Sequence, residues 1–176
     1  IILSALDEIA WTLNLRGNDV HCNPVFISYL LISKEGYTLY ILEEKITDEV
    51  RNYLSNHQVN IKTYQALAED LRTFASEHQG VLQISPLANE ALYDLSTRYA
   101  DTIVASSPVA LMKAVKNETE QAGFRKAMER DGVALVKFLR WLKAAVPAGN
   151  ESELSVDKKL YELRSEQANF KGISFD

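Results

Sequence analysis

The side chains best suited to chemistry gather near the start of the chain. Arg16, Asp19, His21 and Asn23 share one short polar stretch, NLRGNDVHCNPVF, whose exit is stiffened by Pro24. A guanidinium, a carboxylate, an imidazole and an amide in one turn make a candidate for a loop that meets substrate. A plainer reading stays open beside it. Arg16 and Asp19 can form a local ion pair holding the turn, worth about 0–1 kcal/mol if exposed. Asn23-Pro24 can be ordinary turn chemistry, and Gly17 can supply a positive φ.

Other chemistry finds little support. The three histidines are His21, His57 and His78, and none stands at a metal-ligand spacing such as HxxxH. His57 and His78 lie in polar helix-end contexts and read as ordinary solvated residues. Cys22 follows His21, but neighbours in sequence point apart, and a thiolate nucleophile needs a base placed in space. No GxSxG elbow is present, and the seven glycines never form GxGxxG or GxxxxGK. The expectation is a chain with no catalytic residue, no metal ligand and no cofactor of its own.

Composition narrows the class. Hydrophobic residues make up 47% and charged residues 24%, an ordinary globular balance. The net charge of -5 argues against a nucleic-acid surface, which clusters Lys and Arg. No run approaches the roughly 20 apolar residues of a membrane span, so no membrane partner is expected. The single Cys22 excludes an internal disulfide and fits a reducing, cytoplasmic setting. The abrupt apolar start and the abrupt end read as boundaries of an excised piece.

The elements that must position the polar loop follow from periodicity. Residues 1–5 read as a buried strand and 6–14 as a helix with Ile9 and Leu13 inward. Residues 25–33 and 37–42 form a β-hairpin around Lys34-Glu35-Gly36. Then helices and strands alternate: helix 47–56 capped by Thr47, strand 59–63, helix 64–76, strand 80–84, helix 89–99, strand 101–105. Such an order makes a mixed sheet with helices on its faces. Past Pro108 the pattern turns helical. Residues 118–146 form a helix of roughly 43 Å at 1.5 Å per residue, with Asn117 and Glu120 as a capping box. Phe124, Met128, Leu135, Leu139, Leu142 and Val146 line one stripe. Gly123 and Gly132 suggest close packing there, since each costs about 1 kcal/mol against Ala. Ser155 is expected to cap a last helix with Val156, Leu160, Leu163 and Phe170 on one face, paired with the long helix through its stripe.

Three blocks carry a resemblance: LDEIAWTLNLRGNDVHCNPVF at 6–26, KAVKNETEQAGFRKAMERDGVALV at 113–136, and the run from 153 to 176, where the family's EFR reads Glu162-Leu163-Arg164. Together they resemble the three-domain Xaa-Pro aminopeptidases, the aminopeptidase P branch of the pita-bread metallopeptidases. The resemblance implies an α/β fold. Its mixed sheet, flanked by helices, is of the ribonuclease-H-like kind found in the creatinase and prolidase N-terminal domain, and a helical pair follows. Residues 1–111 would be the middle domain and 112–176 the opening helices of the catalytic domain. It implies a homodimeric parent enzyme using two divalent metal ions, manganese among the candidates, to remove the residue before a proline in second position of a peptide. Its ligands, two Asp, one His and two Glu, would lie outside this chain. The middle domain would shape access to the active site; Arg16, Asp19, His21 and Asn23 are the candidates for that role in this chain, and Lys113 falls near a position where some relatives carry a basic residue beside the cleft. A non-catalytic scaffold or interaction module with the same fold is the alternative. A ribonuclease-H-type nuclease is disfavoured, because residues 1–5 carry no carboxylate.

Overall fold

The computed structural model describes residues 1–77 and 80–175, so His78 lies outside the described residues. The chain divides into two compact units, Ile1–Ala114 and Val115–Asp176.

The first unit is built on a six-stranded mixed sheet in the order β4-β3-β2-β1-β5-β6. The strands are β1 (Ile2–Leu3), β2 (Ser28–Ile32), β3 (Tyr37–Ile41), β4 (Val59–Thr63), β5 (Val81–Ile84) and β6 (Asp101–Val104). β2 pairs antiparallel with β3, as the hairpin signature predicts, and also with β1, and the remaining neighbours run parallel. Alternation sends successive residues to opposite faces. One row runs Leu3–Leu30–Leu39–Ile61 across four strands. Its neighbours Ile2, Leu31 and Tyr40 point the other way, into a separate core.

Four helices complete those two cores. On the Leu30 face lie α1 (Leu6–Thr12), supplying Ile9, and α2 (Asp48–Asn56), supplying Leu54. On the opposite face α3 (Leu67–Glu77) supplies Leu67 and Leu71, and α4 (Glu90–Tyr99) supplies Leu92. Each fully buried Leu or Ile contributes about 1.5–3 kcal/mol of hydrophobic transfer. Thr47 caps α2 as the sequence predicts, accepting from the Val50 amide at 3.3 Å, and Asn89, expected inside its helix, instead caps α4, accepting from the Leu92 amide at 2.9 Å. A further short helix, α5 (Pro108–Ala114), was not expected; it opens on a proline, which suits a first turn, and buries Val109.

The second unit is a helical hairpin. α6 (Glu118–Ala145) opens with the expected Asn117–Glu120 capping box. Gly149, in the left-handed region at φ 75°, ends the short 3-10 turn that follows. The cap of α7 (Glu153–Ser165) corrects the expectation: Ser152 is the N-cap, and Ser155 is its reciprocal partner three residues on.

The face of α6 that meets α7 also differs from the expected stripe. The hairpin core is Ala134, Phe138 and Leu163, with Trp141, Leu142, Val156 and Leu160 against it. Arg164 sets the register by donating to both carboxylate oxygens of Asp131, at 2.7 and 3.3 Å. At about 100° per residue this face lies roughly a quarter turn from the Phe124–Val146 stripe. Apolar residues occupy two arcs of α6, and periodicity alone does not choose between them. Small Ala134 and the Asp131 anchor choose the second. Nor do Gly123 and Gly132 mark close packing, since a Cβ at either would meet nothing within 4 Å.

Candidate functional site

The 16–27 loop is a folded lobe rather than a slack connection. Its two limbs run side by side, with the Gly17 amide donating to the Pro24 carbonyl at 3.3 Å and the Asp19 amide to the Val25 carbonyl at 3.2 Å. Val20 and Asn23 form an isolated antiparallel bridge. His21 and Cys22 therefore sit at the tip of a tight turn, with Cys22 at φ 59°. Gly17 is required for a reason other than the one expected. It has no positive φ. A Cβ there would lie 2.7 Å from the Phe26 Cβ and 3.0 Å from the Val25 carbonyl oxygen, so the close approach of the two limbs demands glycine.

The four candidate residues separate into two pairs. Arg16 lies at the C-terminal end of α1, where Nη1 donates to the carbonyls of Ala10 at 3.0 Å and Leu15 at 2.8 Å. Helix ends leave carbonyls without intrahelical partners, and a cation is favoured there by the dipole. Asp19 faces inward, its side chain 14% exposed, and pairs with Lys45 rather than with Arg16. It also accepts from the Ile27 amide at 2.6 Å, so one carboxylate clamps both ends of the lobe. His21 and Asn23 are exposed at the tip. Lys113, in the last turn of α5, pairs with Asp7 in the first turn of α1.

Sequence reasoning missed Lys45. It stands just after β3, 26 positions from Asp19, and nothing in its local pattern marks it. The Lys45 ammonium, then the Ile27 amide, hold the Asp19 carboxyl below its usual 3.8. Lys113 acts likewise on Asp7. A carboxylate with a depressed folded pKa adds stability above its unfolded value, and that stability is lost as pH falls through the folded pKa. Stability should therefore decline as pH drops below 3.8. Urea midpoints taken from about pH 5 to about pH 3 check this, with a shallower decline expected in Asp19→Asn. Equal declines in both proteins would remove Asp19 from the account.

A pocket of about 210 Å³ opens elsewhere in the first unit, lined by Thr12, Leu13, Tyr37, Tyr53, Leu54, His57 and Val59. The Tyr53 hydroxyl donates to the Leu13 carbonyl at 3.1 Å, and His57 Nδ1 lies 2.8 Å from the Tyr53 carbonyl oxygen. The lining carries no carboxylate. Among the described residues no three His, Cys, Asp or Glu side chains converge so as to hold a metal ion. The described residues therefore offer no donor set that fits a metal centre. No described helix is long and apolar enough to cross a membrane.

A mixed α/β sheet unit with a braced polar lobe, followed by a helical hairpin, defines the class of structure. The model of the creatinase/prolidase N-terminal domain matches residues 1–120. The chain belongs to that family. It is 38% identical to a probable Xaa-Pro aminopeptidase P of Sordaria macrospora, over 99% of this chain and 30% of the relative. It is 39% identical to Xaa-Pro aminopeptidase 1 of Dictyostelium discoideum, over 100% of this chain and 28% of the relative. Among solved structures it superposes with TM-score 0.92 on an X-prolyl aminopeptidase of Caenorhabditis elegans, described as a cytosolic enzyme with a di-nuclear active site. That match has 30% identity and covers 99% of this chain and 29% of the other. The chain thus spans less than a third of the length of these relatives.

Proposed function

We propose that this chain is a non-catalytic part of a cytoplasmic, homodimeric, metal-dependent Xaa-Pro aminopeptidase. The whole enzyme would release the first residue of peptides with proline in second position. Residues 1–111 would form its middle domain and 112–176 the opening helices of its catalytic domain. The observation that carries this reading is the extent of the match: essentially the entire chain, both units included, aligns with Xaa-Pro aminopeptidases. In the whole enzyme two divalent metal ions, manganese in this reading, would activate the attacking water and polarise the scissile carbonyl. This chain would contribute walls rather than chemistry, with the tip of the 16–27 lobe limiting which peptides reach the site.

Reading the gene on both sides of this chain and assaying its whole product against Xaa-Pro peptides tests the proposal. Hydrolysis by the whole product, with no hydrolysis and no tight Mn²⁺ site in the 176-residue chain, is expected. A whole product inert toward Xaa-Pro peptides would leave the scaffold reading. The lobe supplies a finer test. Exchanging both tip residues, His21→Ala with Asn23→Ala, should change the ratio of kcat/KM between a long and a short Xaa-Pro peptide while the melting temperature holds. Arg16→Ala should do the reverse, costing up to about 1 kcal/mol of stability with kinetics unchanged, because its contacts are to the end of α1. An unchanged ratio in the tip double variant would sink the access role.

A further inference from the structure

Two phenol rings from distant parts of the first unit lie against each other. Tyr29 stands on β2, packed against the core that β2 shares with α3 and α4. Tyr64 opens the 3-10 turn Tyr64–Ala66 that leads into α3. Their ring centroids are 5.2 Å apart and their planes are tilted by 30°. The Tyr64 hydroxyl donates to the Tyr29 hydroxyl. The Tyr29 oxygen also accepts from Asn89 Nδ2 at 2.8 Å, and Asn89 is itself held as the cap of α4 by the Leu92 amide. Both rings are thus fixed by elements of one unit, and the pair is complete within this chain. Both are half-buried, which leaves their edges open to small solutes.

This arrangement suits radical coupling better than acid–base work. Burial, then the bond to Tyr29, push the Tyr64 phenol up to about 12, so it stays protonated at neutral pH and is a poor nucleophile. Loss of an electron reverses that. An oxidised phenol is a strong acid, and the hydrogen bond points its proton at the Tyr29 oxygen, whose own proton can pass to solvent. Hydroxyls in contact also bring together the ring carbons ortho to oxygen, which carry unpaired spin in a phenoxyl radical. Two such rings, already oriented, couple as one molecule rather than by chance encounter.

We propose that Tyr29 and Tyr64 form an oxidative modification site, joined as an intrachain dityrosine by one-electron oxidants. Each phenol yields one electron to the oxidant and its hydroxyl proton to solvent. The two phenoxyl radicals form a carbon–carbon bond between ortho carbons. The hydrogens on those carbons then move to the oxygens, which restores both aromatic rings. The chain as a whole loses two hydrogens, and β2 becomes tied to the start of α3.

The proposal does not depend on peptidase membership, and its test uses no activity. A Cys22→Ser background removes a thiol able to repair phenoxyl radicals. The 176-residue chain in that background is exposed to photogenerated ruthenium(III) tris-bipyridyl at about 1 µM protein. Coupling within the chain should exceed coupling between chains by about a hundredfold or more, because tethered partners meet at millimolar effective concentration. The monomer should lose two hydrogens in mass and gain the blue fluorescence of dityrosine. Trypsin should release residues 17–34 joined to residues 63–72, each segment holding a single tyrosine. Tyr29→Phe and Tyr64→Phe keep the ring, and each should abolish the link. Tyr93→Phe, at a residue 43% exposed on α4, should leave it intact. A link that falls away on dilution, that persists in either the Tyr29 or the Tyr64 variant, or that joins other segments in its place overturns the proposal. So does oxidation of the exposed Tyr37, Tyr93 and Tyr161 with no bond between 29 and 64.

Discussion

Replacing Leu30 by Ala should cost the first unit about 2–5 kcal/mol, the largest effect expected of any single truncation considered. Leu30 is fully buried at 0% exposure on β2. It is the second residue of the Leu3–Leu30–Leu39–Ile61 row, flanked by a strand on each side. The cost of such a cavity depends on how far its walls can collapse. Here they cannot collapse far, because Leu3 and Leu39 are pinned by the sheet ladders and Ile9 and Leu54 by their helices. Urea unfolding followed by Trp11 fluorescence measures this, with Trp141 replaced by Phe so that only the first unit reports. Trp11 suits the purpose because it packs against the same core. A loss under about 1 kcal/mol would mean that the core repacks and that its rigidity is overstated.

Gly17→Ala should be destabilising by about 1–3 kcal/mol, the range for forcing an extra methyl into a packed site. The sign is the informative part. A Gly→Ala change at a position with unstrained backbone normally stabilises by about 0.4–1 kcal/mol through the unfolded chain. Gly17 has an ordinary φ, so that gain is available. It is overridden because the two nearest atoms are the Phe26 Cβ and the Val25 carbonyl oxygen, neither the far end of a flexible side chain. Relief requires the limbs of the lobe to part, which pulls Asp19 from the Ile27 amide and moves the His21-Cys22 tip. In the proposed enzyme, Gly17→Ala should therefore alter the long-to-short peptide ratio as well as stability. A stabilised Gly17→Ala protein would show that the lobe is looser than its hydrogen bonds indicate.

The two expectations bear on different levels of organisation. Leu30 belongs to a strand that sequence alone exposes, since the β-rich apolar run along 25–33 predicts one, and the pleat then sends successive residues into the cores on its two faces. Gly17 belongs to a contact between chain segments that only the folded lobe reveals. The pairing of Asp19 with Lys45 is of the second kind, and so is the role of Arg16 at the end of α1.

Local physics settled much of this protein in advance. The hairpin follows from two β-rich runs around Lys34-Glu35-Gly36, β4 spans the residues its composition indicates, and the caps Thr47 and Asn117 sit where short polar side chains precede helical periodicity. These features depend on backbone dihedrals and near neighbours, which a residue's own type and its spacing control. The resemblance to Xaa-Pro aminopeptidases was legible for the same reason, because its motifs are contiguous. Tertiary structure decided the rest. Which strands neighbour β1, which arc of α6 receives α7, and which cation meets Asp19 all depend on atoms brought together from distant parts of the chain. Apolar residues around α6 satisfy two packings equally until Ala134 and the Arg164–Asp131 pair select one. A carboxylate at position 19 accepts any nearby cation, and the fold delivers Lys45 while turning Arg16 toward the end of its helix. Periodicity records that a surface is apolar or a group charged; the geometry of the folded chain names its partner.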